Sequence, residues 1–342
     1  MLTDHHTHLR PDDDPLDEEA LSVETIVRHV AAAMDAGLAQ VAVTEHVYRF
    51  RVAKPAWAHP YWDTQSQWDI DAYWEALAEA KAAGFPLLIG IECDWLPDGQ
   101  DVLVDALAGR PWDVILGSIH WVDEGAVDYD LYSAFKEIDP DALWRGYVDR
   151  YTRAALSGQF DVMTHADLPK SFGPLPSAET LDWALDRIAD ALAEAGCCTE
   201  ISTAGLRKNA REIYPGSDLL ARCCARGVPV VLSSDAHEPE HVAFAFDRAV
   251  EAALVLSAAS VAAGVVVGVV PSAAGVVVVD PPSPAGAVVE DSSATEVDVE
   301  SFGALADTGT TSPNTRLTVA VTNTNFLKRF MIISHILLKR SR

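Results

Sequence analysis

The stretch Leu87-Leu88-Ile89-Gly90-Ile91-Glu92 is a short apolar run that ends in a carboxylate. The same pattern, an apolar run followed by a polar residue and then an amphipathic stretch, recurs along the chain up to about residue 256. Apolar strands that alternate with helices are typical of parallel βα units. The pattern predicts seven strands, at residues 1–3, 41–43, 87–91, 114–116, 161–163, 198–201 and 228–232.

Amphipathic stretches between these runs predict helices, and a glycine follows five of them as a C-terminal stop. The helices are predicted at residues 21–36, 69–83, 140–156, 178–195 and 218–226, with glycines at 37, 84, 158, 196 and 227. Seven βα units predict a (β/α) barrel that is one unit short of the common eight-stranded form.

Polar residues that can bind metals stand where the predicted strands end. They are His6, His8, Glu45, His46, Glu92, His120, His165, Glu200, Asp235 and His237. In a barrel the carboxyl ends of the strands meet at one mouth. Residues two apart on a strand face the same side, so His6 and His8 can bind one cation together, and Asp235 and His237 repeat that spacing. Burying so many ionisable groups without partners would be costly, so we predict a cluster of divalent cations that Glu92 can bridge.

The composition limits the classes of function. The chain has 342 residues and a formal net charge of −26, and 49% of its residues are hydrophobic, which predicts a globular protein. The negative charge disfavours binding to nucleic acid, but a small anionic substrate is compatible with it where metal ions supply positive charge. The five cysteines are Cys93 and two adjacent pairs, a poor disulfide framework. Residues 1–14 lack a basic region followed by an apolar stretch, which argues against a secretory signal. We therefore expect reduced thiols, mostly in the core, in a cytoplasmic protein.

The composition changes after about residue 256. Residues 255–279 consist largely of Val, Ala, Gly and Ser, and residues 281–313 are rich in Ser, Thr, Pro, Asp and Gly. We predict one folded domain over residues 1–256 and a low-complexity, disordered tail over residues 257–342. Residues 252–270 are long and uncharged enough to be considered as a membrane span, but their small residues and Pro271 favour a last barrel helix.

The motifs at the strand ends resemble, in order, those of the PHP (polymerase and histidinol phosphatase) superfamily. They are His6-Thr-His8, Thr44-Glu-His46, Gly-Ile-Glu92, Gly-Ser-Ile-His120, Thr-His165-Ala-Asp167 and Ser-Asp235-Ala-His237. Within that superfamily the chain is most similar to the histidinol-phosphatase family. The stretches that carry this similarity are His-Thr-His-Leu-Arg-Pro at 6–11, Gly-Ser-Ile-His-Trp-Val at 117–122 and Ser-Thr-Ala-Gly-Leu-Arg-Lys at 202–208. The resemblance covers residues 1 to about 256.

The resemblance implies a distorted (β/α)7 barrel of the PHP type with three divalent metal ions. Carried over by motif, the ligands form three sets: His6, His8, Glu92 and Asp235; Glu92, His120 and His165; and His46, His237 and one residue soon after the first motif. For that last ligand the spacing favours Asp14, with Asp12 and Asp13 as alternatives. Histidine-rich clusters with carboxylates favour Zn²⁺, Mn²⁺ or Fe²⁺ over Mg²⁺ or Ca²⁺.

The resemblance also implies a reaction, the hydrolysis of L-histidinol phosphate to L-histidinol and phosphate in histidine biosynthesis. Metal pairs can hold a phosphate and lower the pKa of water, so no Ser or Cys nucleophile and no covalent intermediate are expected. Asp235 or His237 would assist the leaving alkoxide. Arg207 and Lys208 follow the sixth strand and are expected to bind phosphate, and Glu200 is expected to orient Arg207 or to bind the amino group of the substrate.

Other interpretations stay open. A PHP phosphoesterase that acts on nucleotides or another small phosphoester would keep the fold and the metals. An amidohydrolase-type barrel also begins with a His-x-His motif, but the stretches around His120 and Arg207 fit that class less well. A non-catalytic metal-binding module would be expected to lack ligands. Trp57, Trp62 and Trp68, in the insert after the second strand, could form a lid, although packing is the commoner role of such residues.

Overall fold

All seven predicted strands are present in the computed structural model, which describes residues 2–11 and 18–262. The strands are β1 (Thr3–Asp4), β2 (Gln40–Val43), β3 (Leu87–Asp94), β4 (Val114–Ser118), β5 (Trp121–Val122), β6 (Gly125–Ala126), β7 (Val162–Met163), β8 (Cys198–Ser202) and β9 (Val230–Ser233). Seven of them form a parallel sheet in the order β1-β2-β3-β4-β7-β8-β9, and β5 and β6 form a separate antiparallel hairpin. The order follows the chain, as expected for successive βα units.

The sheet curves until its two edges meet. Where β1 and β9 approach each other, the backbone N–H of His5 donates to the carbonyl of Leu232 at 3.0 Å, and the N–H of Asp235 donates to the carbonyl of His6 at 2.9 Å. A parallel bridge between Thr7 and Ala236 continues this contact. The strands therefore form a nearly closed (β/α)7 barrel, which confirms the predicted fold.

Helices cover the outside of the barrel. They are α1 (Val23–Asp35), α2 (Pro60–Gln65), α3 (Ile70–Ala82), α4 (Gln100–Leu107), α5 (Pro140–Leu156), α6 (Ala178–Ala195), α7 (Ser217–Ala225) and α8 (Phe246–Ala262). Five of them match the predicted helices closely. Helices α2 and α4 were not predicted because each is too short to display a clear apolar period.

The ends of the helices follow the local sequence. The side chain of Ser177 accepts a hydrogen bond from the backbone N–H of Thr180 and so begins α6. Gly196 ends the same helix in the left-handed conformation, with a φ of 66°. The other four glycines predicted as stops also have positive φ, so these predictions are confirmed.

Apolar side chains from the strands fill the barrel. Ala42, Val114, Leu116, Val162 and Val231 form one buried cluster drawn from four strands. Burying each of the larger side chains stabilises the fold by about 1.5–3 kcal/mol. This packed interior closes the barrel below the strand ends, so polar groups gather at the mouth.

The insert after β2 packs against the body of the protein. Trp62 and Trp68 are almost fully buried, and Trp57 stacks on His59 with the ring centroids 4.2 Å apart. Trp57 also contacts Trp121 of the β5–β6 hairpin. These contacts are those of packing residues.

The last described helix crosses the predicted domain boundary. Helix α8 continues through residue 256 to Ala262, and the remainder of the predicted tail lies outside the described residues. Within the described residues no helix is long and apolar enough to cross a membrane. All five cysteines are free, and Cys93, Cys223 and Cys224 are buried. The division into a domain and a tail stays a prediction.

Candidate metal centre

The carboxyl ends of the strands bring the predicted ligands together at the barrel mouth. Seven of these side chains follow the end of a strand, and Glu92 lies within β3, two residues before its end. They are His6 and His8 after β1, His46 after β2, His120 after β4, His165 after β7, and Asp235 and His237 after β9. Asp14 and its alternatives, Asp12 and Asp13, lie outside the described residues.

Glu92 is at the centre of the cluster and has no solvent exposure. Its Oε2 atom lies 3.5 Å from Nε2 of His6 and 3.5 Å from Nε2 of His8. Nδ1 of His46 is closer to the same oxygen, at 2.6 Å. Three imidazoles therefore converge on one carboxylate oxygen.

The other oxygen of Glu92 faces a second group of side chains. Its Oε1 atom lies 3.2 Å from Nε2 of His165 and 3.6 Å from Nε2 of His120. It also accepts a hydrogen bond from the hydroxyl of Ser118. Because its two oxygens face different histidines, Glu92 has the geometry of a carboxylate that bridges two cations.

Asp235 completes the side of the cluster nearest β1. Its Oδ1 atom lies 3.7 Å from Nε2 of His6, 3.4 Å from Nε2 of His8 and 3.6 Å from Nδ1 of His237. The Nε2 atoms of His6 and His8 are 3.0 Å apart. The His-x-His spacing therefore aims both rings at one point, as expected from the sequence.

The donor set fits divalent cations. Three groups of side chains have ligand atoms that all lie within 4.8 Å of one another: His6, His8 and Asp235; His46, Glu92 and His120; and His8, His46 and His237. Buried imidazole nitrogens beside carboxylate oxygens are typical ligands of Zn²⁺, Mn²⁺ and Fe²⁺. These groups differ from the three ligand sets that the resemblance implies. His8 and His46 each belong to two of the groups, and His165 belongs to none of them but lies 3.2 Å from Oε1 of Glu92.

The electrostatics of the cluster attract positive charge. Burial alone would lower the pKa of His6, but the carboxylates of Glu92 and Glu200 raise it well above its usual value. Burial alone would raise the pKa of Glu92, but the charges of His46, His6 and His120 hold it well below its usual range. The negative potential that favours a protonated imidazole here would equally favour a metal cation.

Buried carboxylates lie behind two of these histidines. Oε2 of Glu200 is 3.0 Å from Nδ1 of His6, and Oδ1 of Asp94 is 2.8 Å from Nδ1 of His120. Glu200 also accepts hydrogen bonds from the hydroxyl of Ser233 and the backbone N–H of His165. Such outer carboxylates orient the ring of a metal-binding histidine and increase its basicity.

Glu200 therefore has contacts other than those expected from the sequence. It is fully buried, and its oxygens face His6, Ser233 and His165, so it neither meets Arg207 nor reaches the surface. Asp94 was not predicted, although a signal for it exists. It stands two residues after Glu92 on the same strand and so faces the same side.

A further buried carboxylate, that of Glu45, lies near the ring of His8. Glu45 accepts a hydrogen bond from the backbone N–H of Leu9 at 2.7 Å and forms an ion pair with the fully buried Arg49. Its Oε2 atom lies 3.6 Å from Nδ1 of His8. Burial alone would raise the pKa of Glu45, but the neighbouring charge of Arg49 lowers it, so the group stays anionic.

A pocket leads from the surface to the cluster. The described residues that line it are His46, Glu92, His120, Asp128, His165, Leu168, Phe172, Lys208, Tyr214, Asp235 and His237. Lys208 stands on this wall, as expected for a phosphate-binding residue, and Arg207 is not among the described lining residues. Asp128, Leu168, Phe172 and Tyr214 were missed, because they lie on loops or at a short 3-10 helix, Leu168–Ser171, whose course no apolar pattern predicts.

Comparison with known proteins gives one family. The model of the PHP domain family matches residues 20–204. A protein of Deinococcus radiodurans named as a probable histidinol-phosphatase is 33% identical over 226 residues, which cover 65% of this chain and 84% of that protein. The matched family region includes Glu92, His120 and His165, whereas His6 and Asp235 lie outside it.

Solved structures with a similar fold include two histidinol phosphatases. One is histidinol phosphate phosphatase from Lactococcus lactis, crystallised with zinc, L-histidinol and phosphate; it is 19% identical, with a TM-score of 0.59 over 76% of this chain and 93% of that one. The other is a putative histidinol phosphatase from Listeria monocytogenes, 17% identical, with a TM-score of 0.59 over 72% of this chain and 99% of that one. At these identities the likeness concerns the fold.

Proposed function

Because the chain belongs to the PHP domain family, we propose that it is a metal-dependent phosphomonoesterase whose substrate is L-histidinol phosphate. The observation that carries the proposal is Glu92, whose two oxygens face separate groups of histidines at the end of a pocket. The products would be L-histidinol and phosphate, and the reaction would belong to histidine biosynthesis. The Deinococcus relative and the Lactococcus structure support this choice of substrate.

The proposed ligands are the eight side chains described above, His6, His8, His46, Glu92, His120, His165, Asp235 and His237, together with Asp14 as predicted from the sequence. We propose three ions, with Zn²⁺, Mn²⁺ or Fe²⁺ as the candidates. When bound, such ions polarise phosphate oxygens and lower the pKa of water. The zinc in the Lactococcus structure supports the presence of metal in this fold.

The protein side chains would bind and orient the substrate. Lys208 stands on the pocket wall, where its ammonium group is placed to attract the phosphate dianion. Asp235 and His237 also line the pocket and would assist the leaving alkoxide. Burial alone would raise the pKa of Asp235, but the charge of His6 holds it well below its usual range, so Asp235 stays anionic and the proton would come from His237 or from water. No serine or cysteine is found among the described residues of the pocket wall, which favours direct transfer of the phosphoryl group to water.

The alternatives differ in their support. The family match argues against an amidohydrolase-type barrel, and the complete set of described ligands argues against a non-catalytic module. A PHP phosphoesterase with another small phosphorylated substrate keeps all the geometry. The net charge of −26 makes long nucleic acids poor substrates. A role in biosynthesis would place the protein in the cytoplasm.

A substrate panel tests the proposal. The metal-loaded protein is given L-histidinol phosphate, mononucleotides and simple alkyl phosphates, and the release of phosphate is measured. We expect the highest kcat/KM with L-histidinol phosphate. A preference for a mononucleotide or another phosphoester would exclude the proposed substrate while leaving the metal-dependent chemistry in place.

A further inference from the structure

The segment Ser234 to His237 carries two of the proposed ligands in an unusual backbone conformation. Asp235 has a φ of 49°, which lies in the left-handed region. For a residue with a side chain this conformation costs about 1–3 kcal/mol, and it persists only when the surroundings hold it. Contacts from other parts of the fold must therefore hold the backbone of residues 234–237 in this conformation.

Arg207 holds the segment from its carbonyl side. The Nη2 atom of its guanidinium donates to the carbonyl of Ser234 at 2.8 Å and to the carbonyl of Asp235 at 2.9 Å. The guanidinium also lies over the ring of Phe244, 5.2 Å from its centroid. These two carbonyls belong to the peptide groups on either side of Asp235, so a donor that binds both restricts the backbone dihedral angles of Asp235 itself.

Asp4 holds the same segment from its amide side. It is fully buried, its Oδ1 accepts from the backbone N–H of Ser234 at 2.9 Å, and its Oδ2 accepts from the hydroxyl of Ser234. Oδ2 also accepts from the backbone N–H of Ala243 at 3.0 Å. Asp4 therefore secures both Ser234 and the turn that presents Phe244 to Arg207.

We propose that Asp4 and Arg207 form a clamp whose role is to position Asp235 and His237 for metal binding. Arg207 then acts through the backbone of this segment, whereas its place in the sequence suggested contact with phosphate. Its neighbour Lys208 lines the pocket, whereas Arg207 is not among the described residues that do. The inference rests on the proposed function for the identity of the ligands, but its main measurement does not require turnover.

The test compares three variants of the full-length protein: Arg207→Met, Asp4→Asn and Lys208→Met. Zn²⁺ affinity is measured by competition with a chelator, the visible spectrum is recorded with Co²⁺ bound, and the inhibition constant of inorganic phosphate is measured at saturating metal. Arg207→Met and Asp4→Asn are expected to weaken Zn²⁺ binding by about tenfold or more and to alter the Co²⁺ spectrum. Lys208→Met is expected to raise the inhibition constant of phosphate and to leave the Co²⁺ spectrum unchanged.

Arg207→Lys separates positioning from loss of folding. A lysine ammonium can still donate to both carbonyls, so this variant should recover part of the Zn²⁺ affinity. The proposal is overturned if Arg207→Met raises the inhibition constant of phosphate while Zn²⁺ affinity and the Co²⁺ spectrum stay as in the wild type. It is also overturned if Arg207→Met and Arg207→Lys bind Zn²⁺ as tightly as the wild type. A wild-type protein that binds Zn²⁺ but does not hydrolyse L-histidinol phosphate would refute the proposed substrate and leave the clamp to be judged on metal binding.

Discussion

Glu200 offers a sharp test of how the buried carboxylates support the metal centre. Its Oε2 lies 3.0 Å from Nδ1 of His6, and its Oε1 accepts from the backbone N–H of His165 at 2.8 Å. When Nε2 of His6 binds a cation, Nδ1 carries the proton and needs an acceptor. The Glu200→Gln substitution keeps the shape and leaves one oxygen for His165, but it turns an amide NH₂ towards the His6 proton.

The expected magnitude follows from that lost contact. A hydrogen bond to a charged group contributes about 1.5–3 kcal/mol, and each 1.4 kcal/mol corresponds to about a factor of ten in affinity. Glu200→Gln should therefore weaken metal binding by about 10–100-fold, which agrees with the general effect of such outer ligands. The assay is Zn²⁺ binding to the metal-free protein in competition with a chelator of known affinity.

A matched control makes the same chemical change far from the site. Asp190 forms an exposed ion pair with Arg226 at 2.6 Å on the outside of the barrel, so Asp190→Asn should leave Zn²⁺ affinity unchanged. Wild-type metal affinity in Glu200→Gln would refute the reasoning. A higher KM for L-histidinol phosphate without any change in metal binding would instead restore the role in binding the amino group.

Three further predictions concern the ligands, the phosphate site and the core. Replacing His6 and His8 by alanine should abolish bound metal and phosphatase activity together, as measured by metal analysis and phosphate release; retained activity would refute their role. Lys208→Met should raise KM about tenfold or more with metal content unchanged, since one charge-assisted contact to phosphate is lost; an unchanged KM would exclude that contact. Leu116 is fully buried in the barrel core, so Leu116→Ala should lower the free energy of unfolding by about 2–5 kcal/mol in urea titrations, and a loss of under about 1 kcal/mol would contradict its packing.

Much of the fold was predictable because a parallel barrel repeats a simple pattern. The apolar run that ends at Glu92 and the run that precedes His120 were each read as a buried strand with a polar end. Barrel geometry then requires those ends to meet, whatever the loops do. The convergence of Glu92 with the histidines therefore followed from strand order alone.

The support around the ligands was less predictable, because it depends on contacts between distant parts of the chain. Asp94 could have been found from its two-residue spacing to Glu92. Glu200 was found at a strand end, but which atoms it would face depends on how β8 packs beside β1. The hydrogen bonds of Arg207 depend on the left-handed conformation of Asp235, which no local sequence pattern indicates.

The loops at the mouth also lay beyond sequence reasoning. Asp128 and Tyr214 reach the pocket from loops that follow the β5–β6 hairpin and β8. Their positions are set by tertiary packing and not by an apolar period. The lining of the pocket was therefore harder to predict than the ligands themselves.

The central claim is that one cluster around Glu92 both binds metal and hydrolyses a phosphomonoester. It is tested most directly by measuring phosphate release from L-histidinol phosphate and bound metal in the same samples, for the wild type and for Glu92→Gln. We expect hydrolysis by the metal-loaded wild type, no hydrolysis after chelation, and loss of both metal and activity in the variant. Hydrolysis by a Glu92→Gln protein that has lost its metal would contradict the account.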